Sequence, residues 1–166
     1  MNAFVLTSPL AGVMLLTRRQ PFYPSAAHDK FRSICTTNDL YTEFGIALVL
    51  WMIFFHIVDD YYLQGWLASA KQKQWWKENA PQPLYKYDYI WALLMHSFSW
   101  AFMIMLPIAV TMSFNISWLF LVCFLLNVCV HALVDDLKAN RKKINLWHDQ
   151  IIHMVQISVT AAVMLF

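Results

Sequence analysis

Four stretches of the chain are long and mainly apolar, running from about Phe44 to Trp66, Tyr89 to Met112, Ile116 to Leu137 and Leu146 to Phe166. Each is near the roughly 20 residues that an α-helix needs to cross a bilayer. The pattern predicts an all-α integral membrane protein, a bundle of about four transmembrane helices. Polar interruptions fall towards one end of each stretch rather than at random. The three-residue break Ser113-Phe114-Asn115 is short enough to make the second and third helices an antiparallel hairpin. Before residue 43 the pattern weakens. Met1–Thr17 is apolar but short, contains Pro9 and Gly12, ends in Arg18-Arg19 and lacks the basic start of a secretion signal. It reads as a short fifth apolar segment, an interfacial helix or an extended arm. Residues 20–42 read as a polar loop. The expected organisation is 1–42 as an N-terminal segment and 43–166 as a four-helix transmembrane domain.

Composition agrees with this picture. The chain is 60% hydrophobic and 13% charged, whereas globular domains average about 45–50% and about 25%. Twelve Phe, nine Met and eight Trp in 166 residues exceed what one soluble core would hide. The Met residues are scattered and read as fillers. Cys35, Cys123 and Cys129 have no CxxC spacing, which gives no disulfide framework and no zinc ribbon.

Charge adds orientation. Lys71, Lys73, Lys77 and Lys86 follow the first stretch, and Lys138, Arg141, Lys142 and Lys143 follow the third. Two spans separate these loops, so they share a side. Arg18, Arg19, Lys30 and Arg32 fall opposite. The excess predicts that loops 69–87 and 138–145 are cytoplasmic. Trp66, Trp75, Trp76, Tyr85, Tyr87, Tyr89, Trp91 and Trp147 crowd the same boundary as an interfacial belt. Basic residues confined to short loops orient a membrane protein and give no reason to expect nucleic-acid binding; the expected partners are membrane lipids, other membrane proteins or a second copy.

The candidate chemistry lies in the polar interruptions. His56, His96, His131 and His153 each sit roughly seven to ten residues from the loop end of their helices, hence at similar depth, about 10–15 Å in. His56, Asp60 and Gln64 recur at i, i+4, i+8; His131 and Asp135 are i, i+4 with Lys138 at i+7; Asp149 and His153 are i, i+4. Three helices therefore present a His–Asp pair on one face, with its order reversed in the fourth stretch because that helix runs the other way. Carboxylates at this depth cost several kcal/mol unless paired, wet or bound to a cation. Imidazole with carboxylate is a ligand set for zinc, iron or manganese. The expected metal ligands are His56, Asp60, His131, Asp135, Asp149 and His153. His96 is expected as a ligand or general base, and Lys138 and Gln64 as rim groups that orient an anionic head group. His148 reads as interfacial, His28 as solvated, and Asp59 and Asp136 as caps or spare ligands. A proton or ion relay and a purely structural His–Asp network remain open beside the metal site.

The motifs H-x3-D-x3-Q (His56, Asp60, Gln64), His96, H-x3-D-x2-K (His131, Asp135, Lys138) and D-Q-x2-H (Asp149, Gln150, His153) resemble a small bacterial and phage integral membrane family of unknown function. The likeness covers about residues 45–160 and implies a fold and a residue set without an activity. A looser likeness to membrane-bound metal-dependent hydrolases implies hydrolysis of a lipid-like or membrane-proximal substrate by a divalent-metal enzyme. The alternative is a non-enzymatic module: an ion or proton pathway, or a metal-stabilised partner-binding protein.

Overall fold

The structure is a computed structural model that describes residues 37–165; the expectations for the N-terminal apolar segment, for most of the polar loop, for His28 and for Cys35 lie outside the described residues. Four long helices dominate. α1 covers Thr37–Ile57 and runs into a π-helical turn at Val58–Leu63. The short helices α2 (Leu67–Ala70) and α3 (Lys73–Asn79) and a 3-10 turn at Pro83–Tyr85 follow. Then come α4 (Asp88–Thr111), α5 (Trp118–Ala139) and α6 (Leu146–Leu165). No strand occurs among the described residues.

The long helices match the four apolar stretches to within a few residues, except that α1 starts at Thr37, inside the segment expected to be a loop. Its Thr-Asn-Asp start is of the residue types that favour helix N-termini. α1 with its π turn, α4 and α5 are long and apolar enough to cross a membrane, over Thr42–Leu63, Pro83–Thr111 and Trp118–Ala139. A 22-residue helix such as Trp118–Ala139 is about 33 Å long, against a hydrocarbon core of about 30 Å. α6 has 20 residues but is diluted by Asp149, Gln150, His153 and Gln156.

Neighbouring helices run antiparallel, as the order of their contacts shows. Between α4 and α5, His96 meets His131 while Phe98 meets Phe124. Between α5 and α6, Asn127 bonds Thr160 while Lys138 pairs with Asp149. α1 closes the ring: Asp59 and His56 meet Ser99 and Trp100 on α4, and His56 meets Gln150 on α6. The Ser113-Phe114 turn holds both residues at positive φ, 50° and 58°, which reverses the chain between α4 and α5 within three residues. Ser117 caps α5 by accepting the Phe120 N–H at 3.1 Å.

The interior changes character along the bundle. In the half away from α2 and α3 it is apolar, built from Met52, Trp100, Ile104, Met105, Ile108 and Ile157. Ala101, Ala109 and Ala161 let the backbones approach there. In the other half most of the polar groups of the interior gather, His56, His96, His131, His153, Asp59, Asp135, Asp149 and Lys71 all being buried. The outward faces carry large apolar groups such as Trp51, Phe54, Leu125, Leu133 and Val155. A polar interior behind an apolar exterior is the reverse of a soluble bundle and fits a membrane protein. Trp66, Trp75 and Trp76 pack edge to face at centroid distances of 5.1–6.0 Å, and the Trp76 indole N–H donates to the Ala70 carbonyl at 2.6 Å. The aromatic belt is thus also the packing that holds α2 and α3 together.

Candidate metal centre

The four histidines expected at one depth do form one layer. His56, His96, His131 and His153 are all buried. His131 stacks on His153 at 4.4 Å between centroids and contacts His96 at 5.0 Å. Trp100 lies beneath the layer: its ring stacks on His131 at 4.2 Å, and its indole N–H donates to His56 Nδ1 at 2.7 Å. Trp100 is four residues from His96, the same helical face, which is the signal that could have marked it in the sequence.

The three His–Asp pairs form along their helices, at 3.9 Å for His56–Asp60, 3.8 Å for His131–Asp135 and 3.4 Å for His153–Asp149. The shorter contacts run between helices and centre on His96. Its Nε2 lies 3.0 Å from Gln64 Nε2, 3.1 Å from His131 Nε2, 3.3 Å from Asp60 Oδ1 and 3.4 Å from Asp135 Oδ2. One ring nitrogen can satisfy one such neighbour by a hydrogen bond. Its Nδ1 faces Asp59 Oδ2 at 3.6 Å. Two groups among the described residues have ligand atoms close enough together to hold a metal ion: Asp60, His96 and His131, and His131, Asp135 and His153. His131 belongs to both.

The donor atoms are poorly satisfied by the protein alone. Both ring nitrogens of His153, Nδ1 of His131, Oδ1 of Asp149 and Oδ2 of Asp59 are buried without a hydrogen-bond partner in the protein. Each such group costs about 1–3 kcal/mol if left unpaired, and native structures rarely gather several in one place.

The remaining predicted site residues are engaged as follows. His56 has both ring nitrogens in hydrogen bonds, Nδ1 with Trp100 and Nε2 with Gln150 Oε1 at 3.1 Å, and it belongs to neither three-residue group. Asp149 takes Lys138 Nζ at 2.5 Å and the Gln150 amide at 3.1 Å on Oδ2. Lys138 is thereby tied to Asp149, and the Gln64 amide also reaches Asp60 Oδ1 at 3.3 Å. His148 is exposed and bonds Asn145. Asp136 pairs with Arg141 at 2.7 Å at the surface end of α5.

Asp59, expected as a cap or spare ligand, and several residues given no role by the sequence complete the site. Asp59 is buried and accepts from Ser99 Oγ at 2.5 Å. It faces inward together with Asp60 because both lie in the π turn. There successive side chains diverge by less than the roughly 100° of an α-helix. Lys71 enters from the loop after α2, buried, with Nζ 2.6 Å from Asp135 Oδ2; no local pattern marks it. Gln150 links His56, Asp149 and, at 3.5 Å, Asp60. One turn below the histidines, Asn127 is bonded by Gln156 at 2.8 Å and Thr160 at 3.2 Å. Asn127 and Gln156 continue the helical stripes of His131 and His153, so periodicity could have found them.

A cleft of about 410 Å³ opens from the side of α2 onto Asp60, Gln64, Lys71, Asp135, Lys138 and Gln150. A second, more apolar cleft of about 570 Å³ lies between α1 and α6, with Ile53, Ile57, Tyr62 and Met154 in front of His56 and Gln150. No family model, curated protein or solved structure matches the chain.

Proposed function

We propose that the chain is a bacterial inner-membrane protein whose four long helices all span the bilayer, with the loops around Lys71 and Lys142 cytoplasmic. In this reading it binds a divalent metal ion and hydrolyses a lipid-like or membrane-proximal substrate. The observation that carries the metal reading is the convergence on His96 Nε2. The separations of 3.1 and 3.3 Å to His131 Nε2 and Asp60 Oδ1 match the roughly 3.3 Å between neighbouring ligands of a tetrahedral ion held at about 2.0–2.1 Å. Charge supports it too. Asp135 pairs with the Lys71 ammonium and Asp149 with that of Lys138, whereas Asp59 and Asp60 lie against His96. With neutral imidazoles this leaves two negative charges, which one divalent cation balances.

Asp60, His96 and His131 would hold the ion. A bound divalent ion supplies Lewis acidity towards a phosphoryl or acyl oxygen and acidifies water. Asp59 stands behind His96 with its Oδ2 3.6 Å from Nδ1, where a small approach would make the carboxylate–imidazole pair that orients a metal-ligating histidine. His56, fixed by Trp100 and Gln150, buttresses the layer. The two clefts favour an amphiphile: Lys138 and Lys142 line the polar one, suited to an anionic head group, and the apolar one reaches the same layer from the flank of the bundle.

The test is elemental analysis of the protein purified in detergent, beside His131→Ala and Asp60→Ala. Stoichiometric metal in the wild type and its loss in both variants is the expected result. A metal-free wild type, or variants that retain the ion, would remove the basis of the reading. Release of head group or acyl chain from phospholipid vesicles, absent in His131→Ala, separates a hydrolase from a metal-stabilised module without turnover.

A further inference from the structure

Lys71 belongs to none of the long helices, yet its ammonium is buried against Asp135 Oδ2 at 2.6 Å. The backbone around it is held independently of that contact. Asn140, at the end of α5, accepts the Lys73 N–H at 2.7 Å and donates to the Lys71 carbonyl at 3.1 Å. The Trp76 indole bonds the preceding Ala70 carbonyl. The loop therefore delivers the ammonium to the site by its own hydrogen bonds.

Asp135 is the one carboxylate of the group His131–Asp135–His153. The other two members bring buried ring nitrogens that make no hydrogen bond in the protein, Nδ1 of His131 and both nitrogens of His153, the Nε2 of His153 lying 3.4 Å from Asp149 Oδ1. Two imidazoles with open nitrogens and a carboxylate make a second cation site by donor chemistry, but the charge that would attract the cation is matched by Lys71. An ammonium and a divalent ion on one carboxylate would repel each other in a water-poor interior.

We propose that Lys71 limits the centre to a single divalent ion: by neutralising Asp135 it closes the His131–Asp135–His153 group, and the ion is held at Asp60–His96–His131. This rests on the metal reading above. Removing the ammonium would leave three uncompensated negative charges in place of two, and so the charge for a second ion. His131, common to both groups, would bridge the two ions as an imidazolate, its remaining ring proton released to solvent.

The experiment strips the detergent-purified protein with a chelator, dialyses it against zinc, removes the excess and counts zinc per chain. Expected values are one for the wild type, two for Lys71→Met, one for Lys71→Arg, which keeps the charge, and one for Lys71→Met/Asp135→Asn. Lys71→Gln, which keeps a donor towards Asp135 without the charge, is also expected to bind two and serves if Lys71→Met does not fold. A folded neutral variant that still binds one zinc, or a wild type that binds two, overturns the proposal. A wild type that binds none overturns the metal reading instead.

Discussion

The indole N–H of Trp100 points at Nδ1 of His56 from 2.7 Å, and this contact fixes the tautomer of His56. Trp Nε1 can only donate, so His56 Nδ1 accepts and its proton sits on Nε2, directed at Gln150 Oε1 3.1 Å away. Trp100→Phe removes the donor and leaves much of the ring stacking on His131. A hydrogen bond to a ligand itself is worth about 10–100-fold in metal affinity; His56 stands one step behind the ligands, so the loss should be smaller. A competition titration with a chromophoric chelator should show a loss below about tenfold, with helicity by circular dichroism unchanged.

Asp59 and Asp136, neighbours of Asp60 and Asp135 in sequence, are separated by the structure. Asp59 is buried between Ser99 and His96, whereas Asp136 pairs with an exposed arginine. Asp59→Asn should lower metal affinity by about tenfold or more, since it disturbs the carboxylate behind His96. Asp136→Asn should leave affinity within error. Equal effects of the two substitutions in the same titration would contradict the assignment.

The two Lys/Arg–Asp pairs where α5 ends and α6 begins should differ sharply in their contribution to stability. Lys138 is 32% exposed and its partner Asp149 fully buried, while Arg141 is 58% exposed. Lys138→Met leaves a buried carboxylate uncompensated, a loss of about 3–5 kcal/mol. Arg141→Ala removes a solvent-screened pair worth about 0–1 kcal/mol. Thermal melts in detergent should show a clear drop for the first and almost none for the second, and Lys138→Met/Asp149→Asn should recover much of the loss.

Metal removal is expected to destabilise the fold itself. Asp60, His96 and His131 come together from three different parts of the chain only in the folded bundle, and an ion that binds only the folded state raises stability by mass action. Chelator should lower Tm by several degrees and added zinc should restore it. In His131→Ala, chelator and zinc should both leave Tm unmoved.

Sidedness is checked by labelling. A cysteine placed at Lys142, in a background with Cys35, Cys123 and Cys129 replaced, should react with a membrane-impermeant maleimide in inverted vesicles and be protected in intact cells. The opposite pattern would reverse the orientation.

The long helices were legible because their apolar stretches have the length of a span and end in turn residues and lysines. The His–Asp pairs were legible because i, i+4 spacing needs only an α-helix. What escaped was tertiary or depended on a departure from that helix. Asp59 enters through the π turn, which a strict 3.6-residue count turns away from Asp60. Lys71 reaches Asp135 only because Asn140 stitches its loop to the far end of α5, 69 residues along the chain. His56 looked equivalent to the other histidines, and only the neighbours on α4 and α6 show that its nitrogens are already bonded.

The π turn at Val58–Leu63 also bears on how this bundle tolerates length changes. A widened turn is an α-helix carrying one residue more than its rise requires. Deleting a single residue there would let the backbone wind on as a plain α-helix, with His56 undisturbed and the loop still attached. One of the two adjacent aspartates would then swing out of the interior. The helix would survive the deletion as a membrane anchor and lose its place in the charge balance of the centre, so reading frame in this short stretch is a constraint on chemistry rather than on insertion.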